Sequence, residues 1–292
     1  MIKKRKINTA TIGLGFGLTH AKTFMKNKYT NLINISDKNK NKKKYEKILK
    51  TKFLKNENLI FENEDINLVS IASYDDCHFH QILKAIKFRK DIFVEKPMCQ
   101  SLVQLREIKR LLKKYKLNLS SNFVLRYHPK FKKVKDLLKR DVIGKIYSIE
   151  GEYNYGRLEK IIKGWRGKMP YFSVVQGGGI HIIDLMNWFT NSFPIKAISA
   201  SNKIVTRNTS FKYNDNNIAL IKFKNKVIGK VSSNFSCVLP HEHFFKIFGS
   251  KGTLIIGKNY ILLYKDNKKN TKPKKIKYRF KKNYKEKLLE NY

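Results

Sequence analysis

The sequence predicts two successive domains of different class. The first, over residues 1–121, is an α/β domain with a doubly wound parallel sheet, and the second, over 122–292, is an α+β domain with a mostly antiparallel open sheet. Three observations lead to this prediction. The 292 residues are enough for two hydrophobic cores. Short β-rich runs alternate with helical patterns up to about residue 120, and long alternating strands dominate after about residue 142.

Strands and helices alternate through the first domain. Strands are predicted at 7–13, 31–36, 67–73 and 91–96, and helices at about 19–28, 40–50 and 78–88. Ser101 and Gln104 form a capping box that begins a further helix. The apolar stripe of this helix consists of Leu102, Leu105, Ile108, Leu112 and Tyr115. Strands joined by helices at this spacing form right-handed βαβ units, which predict a parallel sheet.

The second domain is predicted to be mainly β-structure. Alternating strand patterns cover 143–156, 193–205, 216–236 and 242–265, and the strongest helical pattern among them lies at 180–190. Such a sequence favours an antiparallel sheet with a helix packed on one face. A densely basic tail runs from Lys265 to Lys287, and a weak helix start is predicted at 285–292.

Net charge is the most unusual property of the composition. The chain has 63 Lys plus Arg against 22 Asp plus Glu, a formal net charge of +41. Most of this excess is lysine, and it accompanies abundant Asn and Ile, as expected from codons rich in A and T. The arginine and aromatic interleaving of a strand-binding groove is missing. We therefore expect solvated surface lysines and no specific nucleic-acid partner, whose binding would weaken steeply with salt.

Composition also restricts the class of protein. A hydrophobic content of 41% is typical of a folded globular chain. No run approaches 18 consecutive apolar residues, so no membrane span is expected. Cys77, Cys99 and Cys237 are odd in number and scattered, which favours a reducing cytoplasm without a disulfide framework.

A glycine loop follows the first predicted strand and precedes the first helix. Gly13, Gly15 and Gly17 lie where a dinucleotide pyrophosphate would meet the start of a helix. The third glycine comes one residue early compared with the usual spacing, so a purely structural turn is the alternative. Asp37, after the second strand, is placed to accept hydrogen bonds from a ribose, which favours NAD over NADP. Lys38 and Lys40 beside it weaken that preference.

Two further segments carry polar groups in suggestive places. Lys96 follows a predicted strand, so it should point into the cleft at the carboxyl edge of the sheet, and Pro97 could fix its direction through a cis bond. In QGGGIHIID (176–184), His181 and Asp184 fall with Trp188 on one side of an otherwise apolar helix. The glycines should let this helix begin close to a ligand.

The order of short motifs along the chain resembles one protein family. The motifs are GLGFGLTHA (13–21), IASYD with His78 and Gln81 (71–81), VEKP (94–97), NFVLRYHP (122–129), IGKI (143–146), GWR (164–166), GGGIHIID (177–184) and FGSKGTL (248–254). Together they resemble the Gfo/Idh/MocA oxidoreductases, the group of glucose–fructose oxidoreductase and inositol dehydrogenase. The resemblance implies an N-terminal Rossmann domain and a C-terminal α+β domain whose open sheet face forms a homodimer or homotetramer. It also implies NAD- or NADP-dependent oxidation or reduction of a hydroxyl or keto carbon on a sugar, cyclitol or nucleotide sugar.

The resemblance also assigns roles to individual residues. Lys96 and His181 are expected to be catalytic, with lysine polarising the substrate oxygen and histidine transferring the proton. Substrate contacts are expected from Asn122, Arg126 and Asp184. Cofactor contacts are expected from Gly13, Gly15, Phe16, Gly17, Asp37, Ser73, His78, Glu95, Lys96, Trp165 and Arg166.

Two departures from the family pattern keep a second function open. Gly177 stands where members of the family often carry aspartate, and the sequence ends at Tyr292, where many continue into a closing helix. The alternative is a catalytically silent NAD-binding regulator of the same fold. No metal site is expected, since no cysteine or carboxylate set completes the histidine pairs. The histidines expected to be structural or on the surface are His20, His78, His80, His128, His241 and His243, although the resemblance also places His78 near the cofactor.

Overall fold

The structure, a computed structural model, describes residues 6–265 and 272–279. These residues form two compact units that divide between Val124 and Leu125, whereas the sequence placed the boundary after residue 121. The helix start predicted at 285–292 lies outside the described residues. Among the described helices, none combines the length and the apolar character that crossing a bilayer requires.

The first unit is built on six parallel strands in the order β3-β2-β1-β4-β5-β6. They are β1 (Ile7–Ile12), β2 (Thr30–Ser36), β3 (Lys52–Leu54), β4 (Leu68–Ile71), β5 (Asp91–Val94) and β6 (Leu119–Ser121). Four of the six were predicted. The other two, β3 and β6, are three-residue strands at the two edges of the sheet, too short to show a period in the sequence. The strand order reverses between β1 and β4, so the doubly wound parallel fold is confirmed.

The helices of this unit mostly match the prediction. They are α1 (Gly17–Lys26), α2 (Tyr45–Leu49), α3 (Asn58–Glu62), α4 (His78–Lys87) and α5 (Leu102–Tyr115). The lysine-rich helix predicted at 40–50 is instead a 3-10 turn, Lys40–Lys44, followed by the short α2, because the turn has no buried residue to pack. At α5 the Ser101 hydroxyl accepts from the Gln104 N–H at 3.2 Å, and the Gln104 amide oxygen accepts from the Gln100 N–H at 2.8 Å. The predicted cap is therefore present.

The second unit contains one eight-stranded sheet in the order β14-β13-β12-β11-β7-β10-β9-β8. Its strands are β7 (Ile146–Asn154), β8 (Pro194–Asn202), β9 (Asn216–Phe223), β10 (Ile228–Asn234), β11 (Glu242–Gly249), β12 (Gly252–Ile256), β13 (Ile261–Tyr264) and β14 (Lys274–Lys275). The pair β7–β10 is parallel and every other neighbouring pair is antiparallel. The predicted mostly antiparallel sheet is confirmed.

Helices cover one face of this sheet. They are α6 (Pro129–Lys139), α7 (Leu158–Ile162) and α8 (Ile180–Thr190), and the last matches the helix predicted at 180–190. Helix α8 packs directly on β7 at Gly151, where a Cβ would lie 2.8 Å from the Phe245 ring and 3.0 Å from the Met186 methyl. The glycine is needed because the helix approaches the strand so closely.

The opposite face of the sheet presents apolar side chains to solvent. Along β8 every residue after Pro194 is exposed. Ile198 is 65% exposed, and its cross-strand partner Leu220 on β9 is 48% exposed. Ile218 and Ile228 extend the same surface at 44% and 57%. This group, Ile198, Ile218, Leu220 and Ile228, is called the open sheet face below.

Candidate active site

The three glycines of the first loop are needed for different reasons. Gly13 has φ +85°, and a Cβ there would lie within 2.6 Å of the Ser73 nitrogen at the end of β4. At Gly17, the first residue of α1, a Cβ would lie 2.8 Å from the Ala72 side chain. At Gly15 no protein atom lies within 4 Å of the corresponding point. The chain's own packing therefore explains two of the glycines, while the third leaves open space in front of a helix N-terminus.

Asp37 lies directly after β2 and holds this loop. Its Oδ2 accepts a hydrogen bond from the Leu14 N–H at 2.6 Å, and its Oδ1 accepts one from the Asn39 N–H at 2.8 Å. A carboxylate has about four acceptor positions, so two remain for other donors. The predicted place of Asp37 beside the loop is confirmed, and its ribose contact stays a prediction.

A buried polar cluster lies at the carboxyl edge of the same sheet. Glu95 Oε1 accepts hydrogen bonds from Asn122 Nδ2 at 2.6 Å and from His20 Nε2 at 3.1 Å. The other ring nitrogen of His20 is 2.8 Å from the Ser70 hydroxyl. Glu95 Oε2 accepts from the Lys96 backbone N–H at 3.3 Å. We call these residues, His20, Ser70, Glu95 and Asn122, the Glu95 cluster.

The Glu95 cluster stabilises a charge at the base of the Lys96 corner. Burial alone would raise the pKa of Glu95, but the hydrogen bond and charge of His20 lower it, with smaller contributions from Asn122 and Lys96, so the pKa lies below its usual value. Asn122 was expected to contact substrate, but it is fully buried and donates to Glu95. Its side chain therefore positions Glu95, and its substrate contact stays a prediction. His20 has the structural role expected of it.

His78 and Ser73 support the same edge of the sheet. His78 is fully buried, and its Nδ1 donates to the Pro97 carbonyl at 2.8 Å, beside the cis bond between Lys96 and Pro97. His78 therefore positions this corner, and its expected cofactor contact stays a prediction. Ser73 donates its hydroxyl to Gln81 Oε1 at 2.5 Å, which fixes it at the end of β4. Lys96 itself is half-buried, immediately after β5.

His181 lies in the first turn of α8, and the glycines before it form a π-helical turn, Val175–Gly179. π-Turns are uncommon and often occur at functional sites. A Cβ at Gly178 would overlap the Tyr153 ring on β7. At Gly177 a Cβ would lie 2.8 Å from the Phe172 ring, so an aspartate there would require that ring to move. The glycines therefore let the turn lie against aromatic side chains, a packing reason that the sequence did not predict.

Asp184 and Arg126 bind each other. Arg126 Nε donates to Asp184 Oδ2 at 2.8 Å, and Nη2 donates to Oδ1 at 2.6 Å. Burial raises the pKa of Asp184, and the hydrogen bonds and charge of Arg126 oppose that rise without cancelling it. Both residues were expected to contact substrate. Their two-pronged ion pair holds the 3-10 turn Val124–Tyr127 against α8, and any substrate contact stays a prediction.

An aromatic and imidazole group surrounds His181, and the sequence did not predict it. The His181 ring lies nearly parallel to that of Tyr153, with centroids 6.3 Å apart. His243 pairs with Tyr153 across β11 and β7, with ring centroids 5.1 Å apart, and His241 lies at the same distance from Tyr153. His243 lies on β11 and His241 directly precedes that strand, and only the register of β11 with β7 shows that His243 meets Tyr153.

Trp165 and Arg166 begin the 3-10 turn Trp165–Lys168 of the second unit. The Arg166 guanidinium lies 4.2 Å from the centre of the Trp165 ring, within cation–π range. Both side chains are half-buried. Their expected cofactor contact stays a prediction, as does that of Phe16, which is 45% exposed just before α1.

The class of protein follows from these features. A doubly wound parallel sheet with a glycine loop at its switch point defines a dinucleotide-binding unit, and the second unit carries a histidine in a half-closed aromatic setting. Within residues 6–265 and 272–279, no group of three His, Cys, Asp or Glu side chains could hold a metal ion. This combination is typical of a nucleotide-dependent oxidoreductase.

Comparison with known proteins identifies the family. Residues 7–123 match the model of an oxidoreductase family with an NAD-binding Rossmann fold, and residues 131–255 match the GFO/IDH/MocA C-terminal domain. The chain belongs to the GFO/IDH/MocA oxidoreductases, and the family resemblance is confirmed. It is an NAD(P)-dependent oxidoreductase of that family.

The relatives are distant but match along most of the chain. Myo-inositol 2-dehydrogenase of Thermotoga maritima is 23% identical over 254 residues, covering 83% of this chain and 73% of its own. An uncharacterized oxidoreductase of Synechocystis is 23% identical over 283 residues, covering 90% of this chain and 75% of its own. The crystal structure of myo-inositol 2-dehydrogenase from Lactobacillus plantarum shares the fold at a TM-score of 0.78, with 21% identity and coverage of 86% and 76%. The structure of levoglucosan dehydrogenase in complex with NADH shares the fold at a TM-score of 0.81. Its sequence identity is 16%, and the match covers 93% of this chain and 80% of that chain.

Substitution of Gly15 should separate folding from nucleotide binding. In Gly15→Ala the added methyl enters open space, so the free energy of unfolding should stay within about 1 kcal/mol of wild type. The methyl should nevertheless lower NAD affinity at least about tenfold, because a pyrophosphate needs close approach to the backbone there. Gly13→Ala should instead lower the free energy of unfolding by about 2 kcal/mol or more, since it must hold a positive φ. Urea unfolding and NAD titration measure both, and unchanged NAD affinity in Gly15→Ala would contradict this placement.

Glu95 should make stability depend on pH in the acid range. Because its pKa is lowered in the fold, ionised Glu95 stabilises the fold above the ordinary carboxyl pKa of about 4.3, and this contribution is lost as pH falls below that value. Glu95→Gln should lower the free energy of unfolding at neutral pH by about 2 kcal/mol and reduce its decline with acid. The control is Glu62→Gln, an exposed residue at the end of α3. Urea unfolding over a pH series measures this decline. An equal decline of the free energy of unfolding with acid in wild type and Glu95→Gln would refute the role of ionised Glu95.

Proposed function

We propose that the protein is an NAD-dependent oxidoreductase that transfers a hydride between nicotinamide and a hydroxyl or keto carbon of a sugar, cyclitol or nucleotide sugar. The observation that carries the proposal is the Lys96 corner. The Glu95 cluster and His78 hold it from below, directly after β5 and beside the glycine loop's sheet edge. Buried residues thus contact the backbone on both sides of the Lys96–Pro97 bond, which supports a fixed position for Lys96.

The residues of the first unit fit the cofactor. The open side of Gly15 and the start of α1 would receive the pyrophosphate, whose charge the helix N-terminus favours. Asp37 would bind the ribose, and its carboxylate would repel a 2′-phosphate, which supports NAD over NADP. The nicotinamide, when bound, supplies the hydride acceptor or donor.

Lys96 and His181 would handle the substrate oxygen and its proton. The Lys96 ammonium would donate a hydrogen bond to the reacting oxygen and stabilise its negative charge. The His181 imidazole would take the hydroxyl proton during oxidation and return it during reduction. His181 is 8% exposed, and the Tyr153 ring beside it restricts water around the imidazole. A residue in that setting can exchange a proton with a bound hydroxyl more readily than with solvent.

The names of relatives support a polyhydroxylated ring as substrate. They include myo-inositol 2-dehydrogenase and scyllo-inositol 2-dehydrogenase, and levoglucosan dehydrogenase shares the fold. Cys77, Cys99 and Cys237 are free thiols, which supports a cytoplasmic location.

Alanine variants test the catalytic residues. A panel of inositols, sugars, anhydrosugars and nucleotide sugars is screened with NAD and NADP. Turnover is measured by the change in nicotinamide absorbance. Lys96→Ala and His181→Ala should each lower kcat at least about 100-fold and leave the Kd for NAD within about threefold. Exposed Lys109→Ala and His80→Ala are the matched controls. Unchanged turnover in both variants would end the mechanism, and nucleotide binding without turnover of any substrate would favour the silent regulator.

The open sheet face supports a homodimer or homotetramer. Its exposed Ile198, Ile218, Leu220 and Ile228 lie on three neighbouring strands, with the exposed Lys222 and Lys230 beside them, and a group of exposed apolar side chains of this kind favours an interface. Leu220→Lys should lower the molar mass measured by light scattering, because a charge buried between copies is costly. Leu102→Lys, at an exposed position on α5, should not. A wild-type monomer, or an unchanged mass in Leu220→Lys, would refute this interface.

A further inference from the structure

An exposed arginine extends the histidine group around Tyr153 toward solvent. Arg157 follows β7 by three residues. Its Nη2 donates to His241 Nδ1 at 3.2 Å, and its guanidinium lies 5.3 Å from the centre of the Tyr155 ring. Because a guanidinium only donates, His241 Nδ1 is the acceptor, and the ring carries its hydrogen on Nε2. Two rings therefore fix Arg157 on the same group that contains His181.

A second guanidinium acts on this group. Burial raises the pKa of Tyr153, and the neighbouring Tyr155 raises it further, while the positive charges of Arg166 and Arg157 both oppose the rise. Both charges therefore act at the Tyr153 hydroxyl. Tyr153 is the residue whose ring faces His181. A substrate that reaches His181 accordingly meets a region of positive potential.

The use of arginine here differs from the rest of the chain. Only ten of the 63 basic residues are arginine, so lysine is what this composition places on an ordinary surface. Three of the ten, Arg126, Arg157 and Arg166, lie in the candidate site of the second unit. Arg126 binds the carboxylate of Asp184. The contacts of Arg157 among the described residues are a neutral ring nitrogen and a ring face, and no carboxylate is among them.

We propose that Arg157 binds an anionic group of the substrate, so that the sugar oxidised or reduced beside His181 carries a carboxylate or a phosphate. This inference rests on the proposed function and narrows its substrate class to acidic sugars. Arginine presents paired N–H donors that match the two oxygens of such a group, which a lysine does not. A neutral inositol would offer the Arg157 guanidinium no charged partner.

Binding of matched sugars to the full-length protein tests the inference without turnover. D-Glucose, D-glucuronate and D-glucose 6-phosphate are titrated by calorimetry in the presence of saturating NADH, at physiological salt to screen the general positive charge. Wild type should bind at least one of the two anionic sugars at least about tenfold more tightly than glucose. The preferred one distinguishes carboxylate from phosphate.

Variants at Arg157 test whether this residue causes the preference for the anionic sugar. Arg157→Gln should abolish the preference for the anionic sugar while leaving glucose affinity and NADH affinity unchanged, and Arg157→Lys should restore part of it. Arg140→Gln is the matched control, because Arg140 is an exposed arginine of the same unit that precedes the opposite end of β7. Thermal unfolding checks that each variant is folded.

Several results would overturn the inference. They are equal affinity of wild type for all three sugars, a preference that survives in Arg157→Gln, or a loss of NADH affinity in that variant in place of sugar affinity. Turnover of neutral sugars alone would overturn it and leave the proposed function standing. Arg157-dependent binding of an anionic sugar that no nucleotide oxidises or reduces would support the inference and remove the proposed function.

Discussion

The buried carboxylate of Glu95 is the interaction on which the first unit depends. A charge in that position is costly unless hydrogen bonds compensate it, and His20 from α1 and Asn122 from beyond β6 supply them. Each partner comes from a different part of the chain. Hydrogen bonds to one carboxylate thus fix the helix that starts at the glycine loop, the segment that follows β5, and Asn122 after β6.

The second unit reaches the same kind of rigidity by close packing. Side chains of α8 and β11 fill the place of the missing Cβ at Gly151 on β7, and side chains of β7 and β10 fill those at Gly178 and Gly179 in the π-turn, so α8 and this turn lie very near the sheet. His181 therefore stands on a helix that has little freedom to shift. Asp184, one turn later, adds the ion pair with Arg126. In this unit close packing fixes the position of His181, and the ion pair of Asp184 with Arg126 adds to it.

Sequence patterns were sufficient for the fold and for part of the site. Glycines, strand runs and the capping box at Ser101 act locally, so their signals survive without knowledge of the partner elements. The Glu95 cluster could not be predicted, because its members come from distant parts of the chain and only the parallel register joins them. The same holds for the group around Tyr153, where an unremarkable strand tyrosine meets two histidines through the pairing of β7 with β11.

The predicted cofactor contact of His78 and substrate contact of Asn122 came from the motifs in which these residues lie. Their motifs are close to functional residues in sequence, and a motif does not distinguish a side chain that touches a ligand from one that supports it. Both side chains are fully buried and support the residues beside them, and their ligand contacts stay predictions. Gly177 is a related case: its packing against Phe172 explains the absence of a side chain without reference to chemistry.

The parallel pairing of β7 with β10 has a consequence for how the protein forms during synthesis. Strands of the first unit find neighbours among segments made shortly before or after them, so this unit can collapse while the ribosome is still working. Strand β7 is central in its sheet, yet its two neighbours, β10 and β11, are made much later. Until then both of its edges are open to pairing with other chains. During synthesis there is therefore a stage at which the first unit can be folded while both edges of β7 are unpaired. Protection by chaperones matters most at that stage.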